Sequence, residues 1–107
     1  MAVRKIIRMG HPHLRRVAEP VPEAFIESAE LAVLLDDMVD TLHDYGGIGL
    51  AAPQINENMR LAIIEIPGGE SRYGAIDAMP LTAFINPVVT VNNPALNGYW
   101  EGCLSVP

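Results

Sequence analysis

The sequence holds a single cysteine, Cys103. One thiol cannot close an internal disulfide, so the core must hold the fold, and a reducing compartment, the cytoplasm by default, is expected. Long apolar runs are also missing. None approaches the roughly 20 residues that a membrane-spanning helix needs, which predicts a soluble protein. The N-terminus lacks the charged, apolar and small-residue succession of a secretion signal. Tandem repeats and low-complexity tracts are absent, which excludes solenoids and flexible linkers. The first sixteen residues contain no acid, yet they carry five of the seven basic residues: Arg4, Lys5, Arg8, Arg15 and Arg16.

What remains is a chain of 107 residues, half of them apolar and 19% charged. That composition fits one small globular domain with one core. The net charge of −6 repels nucleic acid as a whole. The basic N-terminal arm therefore has two readings. It packs against the acidic remainder of its own chain, or it touches RNA or another phosphate surface. The charge balance favours the first.

Val3 to Ile7 reads as a short strand or extended arm. The prolines and glycine of GHPHLRRVAEPVP, Gly10 to Pro22, exclude a long helix there. A helix is predicted from Pro22 or Ser28 to Tyr45. Leu31, Leu34, Leu35, Met38 and Leu42 form one apolar stripe, and Glu27, Glu30, Asp37, Asp40 and Asp44 take the other faces. Ser28 is a candidate N-cap, and Gly46 and Gly47 stop the helix. Leu61 to Ile66 reads as a buried strand, followed by a polar loop to about Met79. Leu81 to Val91 reads as a strand interrupted at Pro87, and Leu96 to Gly102 as a returning strand beyond a turn at Asn92 to Pro94. One helix followed by antiparallel strands makes an α+β fold.

Three stretches can carry chemistry. GIGLAAPQ, Gly47 to Gln54, pairs glycines that admit a close ligand with an amide able to donate to an oxyanion. A plain turn after a helix is the competing reading. It is not a phosphate loop, because the lysine and hydroxyl residue of that motif are missing. WEGCLS, Trp100 to Ser105, contains the cysteine. A lone cysteine is a small buried hydrophobe, a nucleophile that needs a base, or a metal ligand that needs companions. The third stretch, GHPHLRRVAEPV, places His11 and His13 two residues apart, but its proline and apolar residues favour a structural role. His43 is expected to be solvated on the helix.

Together these stretches resemble the peptide deformylases of bacterial type. GHPHLRRVAEPV is similar to that family's N-terminal signature, GIGLAAPQ to its first catalytic motif and EGCLS to its second, with a long helix before the first and about fifty residues between them. The resemblance implies a metal-dependent hydrolase that removes the formyl group from the formyl-methionine of nascent polypeptides. It implies Cys103 as a metal ligand, with ferrous iron (Fe2+) the usual metal and Zn2+ or Ni2+ able to replace it. A bound divalent metal activates water at neutral pH. Gln54 and the backbone N–H of Leu104 would donate to the oxyanion. Ile48, Gly49, Tyr99 and Gly102 would border the substrate strand or the methionine pocket, although Tyr99 and Trp100 read equally well as packing residues. Formyl-methionyl peptides are the implied partners, with no membrane and no nucleic acid.

The family's third motif, H-E-x-x-H on a helix, supplies two histidine ligands and the general base. It does not occur in these 107 residues. Three expectations follow. Residues 1–107 are the single but incomplete domain of a longer deformylase, another chain supplies the motif helix, or the chain is a catalytically dead relative that binds N-terminal peptides. Without that helix, the strand faces at Leu61 to Ile66 and Phe84 to Val91 would lose cover, which predicts association or poor solubility. Outside the family, a small α+β interaction domain with an incidental cysteine is the remaining reading.

Overall fold

The computed structural model describes residues 2–71 and 74–107. Its first elements are a 3₁₀ turn at Pro12–Arg15, a one-turn helix α1 at Glu23–Ile26 and the main helix α2 at Ala29–Tyr45. Of the two expected starts, Pro22 and Ser28, the main helix takes the second, and the residues after Pro22 form the separate turn α1. Ser28 caps α2, its Oγ accepting the Leu31 N–H at 3.2 Å while donating to the Phe25 carbonyl at 2.6 Å. Gly46 ends α2 in the left-handed region at φ 74°, and its N–H returns to the Leu42 carbonyl at 3.0 Å.

The strands are β1 at Gly49–Ala51, β2 at Leu61–Ile66, β3 at Gly69–Ser71, β4 at Gly74–Ile76 and β5 at Met79–Ile85. β1, β2 and β5 form an antiparallel sheet in that order, with Leu50 opposite Ile63 and Leu61 opposite Ile85. β2 coincides with the predicted strand. Alternation turns Leu61 and Ile63 inward, against Leu31, Leu34, Met38 and Leu42 of α2. Ile6, Val21, Leu50, Ala52 and Ile55 complete the core. β2 therefore keeps cover on one face. No helix among the described residues is long and apolar enough to cross a membrane.

Four expectations are corrected. The polar loop after Ile66 contains the hairpin β3–β4. The strand expected over Leu81 to Val91 stops at Ile85, because Asn86 takes φ 54° and Pro87 has no N–H to give. Leu96 to Gly102 takes no regular secondary structure and joins no ladder; Leu96 and Trp100 are each 96% exposed. A strand-like pattern needs a neighbouring edge, and no described strand runs beside this one.

The fourth concerns Asp37, expected on a face away from the apolar stripe and buried in the structure. Arg4 reaches it from the N-terminal arm through Nε at 2.9 Å and a terminal nitrogen at 2.8 Å, and also pairs with Glu57 at 2.8 Å. The hydrogen bond from Arg4 is the main cause that holds the Asp37 carboxyl below its usual range. The same contact raises the Arg4 guanidinium. Thr41 closes the network, accepting the Arg4 N–H at 2.8 Å and donating to the Asp37 carbonyl at 2.7 Å. Arg4 thus packs against the chain's own acids. Lys5, Arg8, Arg15 and Arg16 are exposed.

Candidate active site

β1 leaves the glycine turn after α2 and leads into a second 3₁₀ turn, Ala52–Ile55, which presents Gln54. The Gln54 carboxamide is held on both sides. Its Oε1 accepts the Ala51 N–H at 2.9 Å. Its Nε2 donates to Ser105 Oγ at 3.1 Å and lies 3.6 Å from Cys103 Sγ. The two motifs, far apart in sequence, therefore meet at the side chains of Gln54, Cys103 and Ser105.

The extended N-terminal segment brings them together. The Ile7 N–H donates to the Gln54 carbonyl at 2.8 Å, and the Met9 N–H donates to the Ser105 carbonyl at 2.7 Å. A tight turn follows the cysteine, with the Val106 N–H on the Cys103 carbonyl at 3.0 Å. The Leu104 side chain packs over Gly47 so closely that a Cβ there would stand 2.8 Å from Leu104 Cδ1. That approach, rather than backbone conformation, requires the glycine. A Cβ at Gly49 would make only ordinary contact, 3.7 Å from the Ile63 carbonyl oxygen. The fold itself does not demand glycine there.

A cavity of about 900 Å³ opens between the motifs. Ile48, Gly49 and Gln54 of the first motif line it together with Tyr99, Gly102, Cys103 and Leu104. The structure thus gathers every residue that the sequence proposed for the site. It adds Trp100 and Glu101 to the lining, and Gly46 and Gly47 at the floor of the turn. Cys103 is exposed rather than a buried hydrophobe. The Leu104 N–H has no acceptor among the described residues. Ser105 received no role from the sequence, although it is buried against Gln54. No periodicity marks it, because Ser105 sits in the turn that follows Cys103 and its partner Gln54 lies 51 residues away.

The histidines stand apart from this cavity. His11 Nδ1 accepts the His13 N–H at 3.1 Å, capping the first 3₁₀ turn, and His13 Nδ1 pairs with Asn56 Oδ1 at 2.6 Å. His43, exposed as expected, pairs with Glu65 of β2. Among the described residues, no group of three or more His, Cys, Asp and Glu side chains could hold a metal ion. Cys103 is one donor, and a metal centre takes three or four protein ligands. These residues alone do not make one.

The polypeptide deformylase family model matches residues 3–107. The chain is 46% identical to peptide deformylase 2 of Pseudomonas putida over 105 residues, covering 98% of this chain and 58% of that protein. It is 40% identical to a peptide deformylase of Leptospira biflexa over 107 residues, covering 60% of that protein. Among solved structures, the class I type b peptide deformylase of Acinetobacter baumannii bound to Met-Ala-Ser superposes with a TM-score of 0.83 at 31% identity, covering 100% of this chain and 68% of the other. The actinonin-bound form gives 0.84 at 29% identity, covering 99% and 66%. The chain spans about three-fifths of the length of these curated relatives. A long helix, an antiparallel sheet and two motifs facing one cavity agree with these likenesses: the chain belongs to the polypeptide deformylase family.

Proposed function

We propose that this chain forms the substrate-facing part of a metal-dependent hydrolase that removes the formyl group from the N-terminal formyl-methionine of nascent polypeptides. The observation that carries the proposal is the approach of Gln54 Nε2 to within 3.6 Å of the exposed Cys103 Sγ, at the wall of a cavity large enough for a methionyl residue.

Each neighbouring feature supports a part of that reaction. Among the described residues β1 pairs with β2 on one side only, so its other edge can accept an extended peptide through main-chain hydrogen bonds. Gly49, not required by packing, leaves room for that strand. Ile48 and Tyr99 offer apolar surface to a methionine side chain. The unengaged Leu104 N–H and the Gln54 amide are two donors for the oxygen that gains charge as the formyl carbon becomes tetrahedral. One such donor is typically worth about 3 kcal/mol. A reader of backbone and methionine alone suits substrates that differ in every later residue.

Cys103 is assigned as a thiolate ligand, with ferrous iron the first choice; a thiolate also accepts zinc or nickel. The other ligands and the general base come from outside these residues, from another segment of the same polypeptide or from a second chain. A cytoplasmic location matches the reducing conditions that an exposed thiol ligand needs.

The test is hydrolysis of a formyl-methionyl tripeptide by the intact protein, loaded anaerobically with ferrous iron or nickel, beside a Cys103→Ala sample. Activity lost in the variant is expected. Undiminished activity in Cys103→Ala would refute the assignment. Metal-independent affinity for the peptide without turnover would point instead to a binding module.

A further inference from the structure

We propose that Ser105 is a positioning residue, whose buried hydroxyl fixes the Gln54 carboxamide so that one N–H faces the cavity at Cys103. The inference rests on the reading of Gln54 as an oxyanion donor and deepens it.

A carboxamide offers one oxygen acceptor and two N–H donors. A donor, the Ala51 N–H, stands at the oxygen side at 2.9 Å. An acceptor, Ser105 Oγ, stands at the nitrogen side at 3.1 Å. This arrangement allows only one of the two flipped orientations, because the reverse would face donor with donor at Ala51. With one N–H committed to Ser105, the other is directed toward Cys103 Sγ at 3.6 Å. The terminal torsion of glutamine is otherwise broad, so this aim has to be imposed from outside.

Ser105 is fitted to impose it. The residue is 5% exposed, so little water competes for its oxygen. Its carbonyl is itself held by the Met9 N–H at 2.7 Å. The acceptor therefore sits on backbone that is tied to the N-terminal segment. A donor held in place before the reaction costs no reorganisation when charge develops. Without the Ser105 oxygen, Ala51 alone would restrain the amide and the remaining N–H would wander.

The experiment uses the intact protein labelled with ¹⁵N, with the Gln54 side-chain NH₂ pair assigned by its loss in Gln54→Ala. In Ser105→Ala the two Gln54 protons should converge toward free-amide positions and exchange with solvent about tenfold faster or more. In the metal-loaded protein, kcat should fall about tenfold to a hundredfold with KM little changed. Ser105→Thr, which keeps the oxygen, should restore both readouts, whereas Ser105→Val, its near-isostere without the oxygen, should not. This pair keeps the test decisive if the alanine variant fails to fold. Gln54 signals that do not move in Ser105→Ala or Ser105→Val overturn the proposal. So does an unchanged kcat beside signals that have moved. A wild-type protein with the expected Gln54 signals but no deformylation would sink the proposed function and leave the Ser105 contact standing.

Discussion

Gly47 offers a test of how closely the turn after α2 is coupled to the Leu104 backbone, the proposed oxyanion donor. In Gly47→Ala the new Cβ would stand 2.8 Å from Leu104 Cδ1, 3.2 Å from Leu104 Cγ and 3.2 Å from Leu42 Cδ1. Carbon atoms prefer about 3.5–4.0 Å, so something must move by about 1 Å. Leu42 is fully buried and has nowhere to go. Leu104 is half-buried at the cavity wall and yields instead. Overpacking costs about 1–3 kcal/mol, and a movable side chain places this case at the low end. Replacing glycine returns about 0.4–1 kcal/mol by restricting the unfolded chain. The net loss of stability should thus be about 1 kcal/mol or less. Catalysis should suffer more. If the shift of Leu104 carries its N–H with it, a misplacement of about 1 Å costs on the order of a hundredfold in rate. Urea unfolding and formyl-peptide hydrolysis would be measured on Gly47→Ala, Leu104→Ala and the double variant. Removing the Leu104 side chain removes the clash, so the effects should be strongly non-additive, with Gly47→Ala costing little in the Leu104→Ala background. Full activity in Gly47→Ala, or simple additivity, would refute the coupling.

Acid should reveal the Arg4–Asp37 pair. Because Arg4 lowers the folded-state pKa of Asp37 below the usual 3.8, its contribution is complete above that value and is lost as pH falls through the lowered one. Urea midpoints of wild type and Asp37→Asn should differ at neutral pH and converge in strong acid; a difference independent of pH would exclude this origin. Leu42, fully buried between α2 and the sheet, should cost about 2–5 kcal/mol as alanine in the same assay. A loss below 1 kcal/mol would mean that the core around it is looser than its burial indicates.

The parts that could be read from the sequence are those whose cause is local. Ser28 and Gly46 mark the ends of α2 because capping is decided within four residues. Leu61–Ile66 is a strand in both readings because an apolar run bounded by Pro67 and Gly68 leaves little else. The site residues came from motif resemblance, and the fold brings them to one cavity. What was missed depends on distant partners. The burial of Asp37 is set by Arg4, 33 residues away, and nothing on the helix itself marks it. The hairpin at β3 and β4 has only three residues in each strand, too few for alternation to register. Leu96 to Gly102 carries a strand-like pattern, but pairing is a property of two segments and the sequence shows one.

The N-terminal segment explains how two short motifs become one site. Ile7 and Met9 are two residues apart, so in an extended chain their N–H groups point the same way. One takes the Gln54 carbonyl and the other the Ser105 carbonyl. The two motif backbones are thereby held beside one short segment. Ile6, immediately before this pair, is buried in the core and anchors the segment there. Two residues before it, Arg4 ties the same segment to α2 through Asp37 and Thr41. The Arg4–Asp37 pair and the Gln54 carboxamide are therefore linked through one segment. This gives the arm's charge asymmetry a structural use: an arginine free of neighbouring acids in sequence pairs with Asp37 and ties to α2 the segment that carries Ile7 and Met9.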